Sequence, residues 1–369
     1  MPSPTYTPLV ASLPSTVPFV GPETQERANG ATFAARLGAN ESVFGPSPKA
    51  IAAMTEAAAE VWKYCDPENH DLRVALAEHH GVRPANIMVG EGIDGMFGYL
   101  NRMIVEEGVT VATSAGAYPT FNFHVAGFGG RLVTAPFVDD KEDPDSLIDL
   151  AKREGASLIY IANPDNPMGS WHQADVMENM IEAVPEGALL CLDEAYIDFA
   201  PDGVAPKIDV TDTRVIRFRT FSKAYGMAGA RVGYAIAHED LATAFNKVRN
   251  HFGVNRVAQA GALAALADQD YLREVKAKVA ASRDLIGQIA AENGLKAMPS
   301  ATNFVTIDCG SDGVFAKKVL DGLIARNIFV RMPFVAPQNR CIRVGTGEPE
   351  DMGLFAEALP AALADARGG

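Results

Sequence analysis

Between residues 46 and 265, short apolar runs alternate with amphipathic stretches. The runs are NIMVG (86–90), VTVATS (109–114), LIYIANP (158–164), ALLCLDEAY (188–196), RVIRFRTFS (214–222) and VGYAIA (232–237). They are rich in β-branched and aliphatic residues and lack the in–out alternation of a half-exposed strand, so they predict strands buried on both faces. Strands of that kind, separated by helical patterns, predict an α/β fold with a mostly parallel central sheet flanked by helices. Residues 268–295, DQDYLREVKAKVAASRDLIGQIAAENGL, repeat apolar positions at helical spacing and predict one long amphipathic helix. Beyond it, ATNFVTIDCG, a helical segment, NIFVRMP, CIRVGTG and a final helix predict a smaller α+β unit. Residues 1–45, rich in Pro and Gly, read as an extended arm. The expected division is an arm (1–45) packing with the small unit, a large unit (46–267), and a small C-terminal unit (268–369) led by the long helix.

Composition narrows the partners. Lys and Arg number 32 against 46 Asp and Glu, a net charge of −14. A nucleic acid or an anionic membrane wants the opposite balance, so neither is expected as a partner. Four cysteines stand far apart with no CxxC spacing, which speaks against a metal site or a disulfide framework. The first residues, MPSPTYTPLVASLPSTVPF, show no basic stretch followed by an apolar one, and no apolar run reaches membrane-spanning length. A cytoplasmic protein is the expectation.

In open α/β sheets, ligands sit beyond the carboxyl ends of the strands. Four of the runs end in polar residues there: GEG, NPDNP, DEAY and TFSK. Lys223, in TFSKAYGMAGARVGYA (220–235), follows an apolar run and lies among small residues. A lysine kept from water loses part of its preference for the ammonium form, and the neutral amine is what Schiff-base chemistry uses. Asp193, straight after ALLCL, needs a partner if it is buried. NPDNP is equally well read as turn chemistry. GEGIDG (90–95) also fits GxGxxG, the mark of a dinucleotide-binding oxidoreductase. That reading requires an acidic residue about 20 positions on, at the next strand end, and VTVATS ends there in Ser114.

Further stretches stand in a fixed order with these: RLGANESVFGPSP (36–48), YCDPENHDLRVALAEHHGV (64–82), VGEGIDGMF (89–97), AYPTF (117–121), NPDNPMG (163–169), LDEAYIDF (192–199), ATNFV (301–305) and CIRVGTGEPEDM (341–352). With TFSKAYGMAGARVGY they give a chain that, from about residue 36 to 352, resembles the fold-type I pyridoxal phosphate (PLP) aminotransferases, and among them the histidinol-phosphate aminotransferase branch. The resemblance implies a large PLP-binding unit and a smaller C-terminal one. It implies that Lys223 carries PLP and shuttles a proton, that Asp193 pairs with the pyridine nitrogen, and that Asn166 and Tyr196 hold the phenolic oxygen. Tyr118 would stack on the ring. Arg231, Thr220, Ser222 and the backbone N–H groups of Ile93 and Asp94 would hold the phosphate. The eight-residue step from Lys223 to Arg231 reads as a loop and a helix start spanning the cofactor. Tyr64 matches a tyrosine that reaches the phosphate of a neighbouring subunit, which implies a homodimer with shared sites. Arg343 and Arg331 would take the anionic groups of the substrate, with Asn40 nearby, and Asn303 lies in a matching NF segment.

Three positions depart from the family pattern. Met168 replaces a threonine and Glu91 an asparagine, and neither is expected to disturb PLP binding. Phe19, in PFVGPE (18–23), lacks the hydroxyl of the tyrosine expected near the substrate. The implied reaction is ping-pong transfer of an amino group from histidinol phosphate or an amino acid, aromatic ones included, to a 2-oxo acid such as 2-oxoglutarate. A phosphothreonine-type decarboxylase uses the same cofactor constellation and stays open at this stage.

Overall fold

The structure is a computed structural model that describes residues 5–15 and 20–368; Phe19 lies outside the described residues. Strand β1 (Ala35–Arg36) belongs to the arm. The large sheet contains β2 (Ile87–Gly90), β3 (Thr110–Ser114), β4 (Arg131–Ala135), β5 (Leu158–Ala162), β6 (Leu189–Asp193), β7 (Val215–Thr220) and β8 (Gly233–Ile236). Their spatial order is β2-β8-β7-β6-β5-β3-β4, and every neighbouring pair is parallel except those made by β8. The chain between β7 and β8 contains no α-helix to carry a crossover, so β8 returns antiparallel to β7.

The six runs singled out in the sequence become β2, β3, β5, β6, β7 and β8. Strand β4 was not among them. It is an edge strand whose first four residues stay wholly or partly exposed, so RLVTA never shows the continuous apolar signature of a buried strand. Elsewhere both faces are covered, by a cluster around Phe97, Phe121 and Phe218 and by another around Ile161, Leu190 and Leu192. The helix Gln269–Glu292 leads from the large sheet to a second one, β12-β10-β9, made of β9 (Lys296–Ala297), β10 (Phe304–Asp308) and β12 (Cys341–Gly345). The helices Gly313–Ala325 and Pro349–Gly368 pack against one another beside it.

The arm is stitched to this smaller sheet. Strand β1 pairs in parallel with β11 (Ile328–Phe329), Phe33 packs on Phe329 at 5.1 Å, and Leu37 bonds to both Phe329 and Gly345 through its backbone. At Gly345 a Cβ would lie 2.9 Å from the Leu37 carbonyl oxygen, so the close passage of the arm requires glycine. The arm then delivers residues 38–41 to the gap between the two sheets. Among the described residues, no helix is long and apolar enough to cross a membrane.

Candidate active site

The carboxyl ends of β2, β5, β6 and β7 open on one side of the large sheet, where they line a cavity of about 480 Å³ together with Arg331, Met332, Pro333, Phe334 and Arg343. That volume suits a small-molecule site.

After β7 the chain runs through a loop with one 3₁₀ turn (Ala228–Ala230), and Arg231 sits at φ 56°. No helix starts at Arg231, contrary to the expectation from sequence. A glycine at 226 is obligatory, because its φ is +68° and a Cβ there would meet the Gly45 carbonyl oxygen at 2.2 Å. Lys223 points its Nζ at the Asn40 carbonyl oxygen, 2.9 Å away, and lies 5.5 Å above the Tyr196 ring. Burial, followed by the guanidinium groups of Arg343 and Arg231, holds its pKa down to about 8. A sizeable fraction of the amine is therefore neutral near physiological pH.

Asp193 ends β6 on the cavity floor. Its Oδ1 accepts from the Ala195 N–H (2.9 Å) and its Oδ2 from the Tyr160 hydroxyl (2.7 Å). Burial raises its pKa to about 6, against the pull of these donors. The next residue, Glu194, is fully buried and bonds to Arg219 Nε at 2.8 Å and Arg217 Nη1 at 3.3 Å. Removing one partner of a buried ion pair leaves uncompensated charge, so Glu194→Ala should cost about 3–5 kcal/mol. Urea unfolding of the cofactor-free protein measures this, and an unchanged midpoint would show the pair to be dispensable.

The turn after β5 holds itself together. Asp165 takes the Ser170 hydroxyl (2.7 Å) and the Met168 N–H (3.0 Å), which confirms turn chemistry for that residue. Met168 is buried where the family has threonine. Asn166 is free of this turn network and accepts a hydrogen bond from Arg343 Nη1. Tyr196 receives the Asn40 side-chain N–H at 2.8 Å and packs edge-on against Phe304. Asn303, fully buried, donates to the Asn40 and Glu41 carbonyls and so fixes the arm where it enters the cavity.

At the opposite end, the helix Gly92–Ile104 begins against β8. A Cβ on Gly233 would lie 2.9 Å from Ile93 N, and one on Gly92 would lie 2.3 Å from Arg231 Nη2. Two glycines thus bring a helix N-terminus and a guanidinium together, an arrangement suited to an anion. Ser222 Oγ accepts from Arg231 Nη1 (3.3 Å), and Thr220 Oγ1 accepts from the Ser222 N–H (3.0 Å). Asp94 faces His124 at 3.0 Å. Glu91 turns aside to the Tyr99 hydroxyl.

Arg331 and Arg343 oppose each other across a backbone bridge, each N–H bonding to the other's carbonyl (3.1 and 2.6 Å). The Arg343 guanidinium lies 5.1 Å from the Phe304 ring centre and donates to the Gly38 carbonyl at 3.3 Å. Burial lowers its pKa to about 10, which still leaves it charged at neutral pH. Arg331 donates to the Val20 carbonyl and also lines the cavity.

The site residues expected from sequence line this cavity, Tyr118 included, apart from Asn303 and Tyr64. Tyr64 is 79% exposed on the outer surface, packed on Phe252 at 4.7 Å, and does not reach the cavity of its own chain. Sequence reasoning missed Tyr160, Glu41 and Phe334. Tyr160 carried a usable signal: a tyrosine in the aliphatic run LIYIA must find a partner for its hydroxyl. Glu41 and Phe334 carried none, since only the tertiary fold brings them to the mouth.

The cavity fits PLP by its donor set: an amine on one wall, a buried carboxylate on the floor, and a cation with a helix N-terminus at one end. Two polar atoms of its lining, Asn40 Oδ1 and Arg343 Nε, are buried without a partner among the described residues, as expected where a ligand completes the site.

Comparison with known proteins agrees with this geometry. The profile of the family described as aminotransferase class I and II matches residues 35–359. A histidinol-phosphate aminotransferase of Anaeromyxobacter sp. (strain Fw109-5) is 37% identical over 335 residues, covering 88% of this chain and 91% of the relative. Histidinol-phosphate aminotransferase 2 of Carboxydothermus hydrogenoformans is 34% identical over 353 residues, 94% and 96% of the two chains. The crystal structure of histidinol-phosphate aminotransferase from Sinorhizobium meliloti in complex with pyridoxal-5'-phosphate superposes with a TM-score of 0.95 at 55% identity, covering 97% of each chain.

Proposed function

This chain belongs to the aminotransferase class I and II family and is a PLP-dependent aminotransferase, and on that premise we propose that it moves an amino group from a phosphate-bearing amine of the histidinol phosphate type to 2-oxoglutarate. The observation that carries the proposal is the pair Arg331 and Arg343, fixed opposite each other by backbone bonds and lining the same cavity as Lys223. Two guanidinium groups at one mouth suit a phosphate on the donor and a carboxylate on the acceptor. The relatives do not favour the decarboxylase or the oxidoreductase outcome.

Bound PLP supplies a ring that draws electrons from the substrate's Cα, so that the amino group can be exchanged. In this proposal Lys223 holds the cofactor and, as a free amine, carries the proton to and from Cα. Asp193 holds a proton at the pyridine nitrogen. Asn166, through its Nδ2, and Tyr196, through its hydroxyl, orient the phenolic oxygen. Tyr118 covers the ring face, while Arg231, Ser222, Thr220 and the N–H groups of Ile93 and Asp94 bind the phosphate. Arg343 and Arg331 orient the anionic substrate groups, with Asn40 beside them. The same reading makes the working unit a cytoplasmic homodimer. Tyr64 is the residue that would serve the neighbouring site, and its exposure alongside Trp62 and Phe252 supports a surface built to be covered.

A panel of amino donors assayed against 2-oxoglutarate tests the substrate. Histidinol phosphate should exceed histidinol and the aromatic amino acids in kcat/KM by at least about tenfold, the worth of one charged contact. Equal use of histidinol, or release of CO₂ without glutamate, would overturn it.

A further inference from the structure

Tyr160, in the middle of β5, is fully buried, stacked on Phe121 (ring centres 4.2 Å apart, planes at 22°) and edge-on to Phe97 (5.7 Å). Its strand register explains where it points. Tyr160 pairs with Cys191 and Ala162 with Asp193, so the four residues share one face, and the phenol extends diagonally to reach the carboxylate. The packing alone would accept phenylalanine. Only the hydroxyl, 2.7 Å from Asp193 Oδ2, requires tyrosine.

We propose that Tyr160 is a positioning residue that acts through Asp193 to keep a proton on the ring nitrogen of the bound cofactor. The inference rests on the reading that places Asp193 opposite that nitrogen. A phenol donating into a buried carboxylate spreads its charge and makes it a weaker base. A proton shared between Asp193 and a ring nitrogen then stays on nitrogen, where the electron-withdrawing power of the ring depends on it.

The surroundings leave this task to Tyr160. Lys223, from the loop after β7, and Arg343 and Arg231 beyond it are engaged with the Asn40 carbonyl, Asn166 and Ser222. Glu194, the next residue, is bound to Arg217 and Arg219. Tyr118 and Tyr196 flank the cavity, and neither has a bond to Asp193 among the described residues. Glu142, bonded to the Ala162 N–H, is pushed up to about 8 by burial, so it is largely uncharged at neutral pH.

Tyr160→Phe deletes the hydroxyl and keeps the ring. In the full-length protein loaded with PLP, the visible spectrum is followed from pH 5 to 10. Without the hydroxyl, Asp193 gains proton affinity and the ring nitrogen loses its share. The nitrogen contributed by Lys223 then keeps its proton to higher pH, and the titration midpoint of the visible band should rise by about 0.5–1 pH unit. With it, kcat should fall about 10–100-fold, the usual loss on removing a group that orients a ligand-contacting residue, while the donor KM changes less than about threefold. An unmoved midpoint overturns the inference, whatever happens to kcat, because a merely structural role would leave the titration alone. If Tyr160→Phe does not fold, 3-fluorotyrosine at position 160 strengthens the donor and should lower the midpoint; no change again overturns it. A wild-type protein that takes up no PLP, by contrast, sinks the placement of Asp193 itself.

Discussion

Lys223→Ala should abolish transamination, with a loss of at least about 10⁴-fold, while the protein stays folded. In the proposed function the side chain combines two tasks, attachment of the cofactor and proton transfer at Cα, and removing either alone costs several orders of magnitude. The scaffold should survive, because Asn303 keeps its bond to the Asn40 carbonyl when Lys223 is lost (3.2 Å). The variant should still admit PLP, held by Arg231 and the helix N-terminus, yet borohydride should fix nothing. The wild-type amine has its pKa near 8, below that of an ordinary lysine, because of burial and of Arg343 and Arg231. Only the neutral amine reacts, so the rate of PLP uptake should rise with pH, about tenfold per unit below 8, and level off above it. A rate that ignores pH between 6 and 8 would assign the reactive amine elsewhere.

Arg343→Ala should lower kcat/KM for 2-oxoglutarate by about 10²–10³-fold, the range for truncating one partner of a buried charged contact. Most of the loss should fall on KM, since in the proposed function Arg343 holds the substrate throughout the reaction instead of assisting only its hardest step. The guanidinium is half-buried, stacked beside Phe304 and steadied by Asn166 and Gly38, so its orientation is set before any substrate arrives. Arg343→Lys should recover only part of the activity, because an ammonium cannot reproduce the two-pronged contact. Initial rates with the acceptor varied at fixed donor measure both. An unchanged KM in Arg343→Ala would move the anion-binding role to Arg331.

The large sheet was legible in the sequence because its central strands are buried on both faces and read as continuous apolar runs. Strand β4 was not, because an edge strand keeps polar residues such as Arg131 and Thr134. The site was legible where chemistry is concentrated at strand ends: Asp193 after ALLCL and Lys223 after RVIRFRTFS announce themselves locally. Asn40, Arg331 and Arg343 were reached only through the ordered resemblance, since no local pattern says that an arm, β11 and β12 close over the large sheet. Arg231 lines the cavity, but its local structure differs from the helix start expected. Gly226 and Arg231 both lie in the left-handed region, which a helix start does not accommodate, and Gly45 packs where a Cβ on Gly226 would sit. Tyr160 was overlooked because it fits an apolar strand by its ring; its hydroxyl signalled the need for a partner, and the register with β6 shows which one.

That Lys223 holds PLP in a site whose other end is built by Arg231 and the start of the Gly92–Ile104 helix is the proposal on which the rest depends. Its most direct test is to titrate the cofactor-free protein with PLP, record the visible spectrum, reduce with borohydride and map the modified peptide. A saturable visible band and one pyridoxyl group per chain on Lys223 are expected. Absence of the band, or a label on a different lysine, would contradict it.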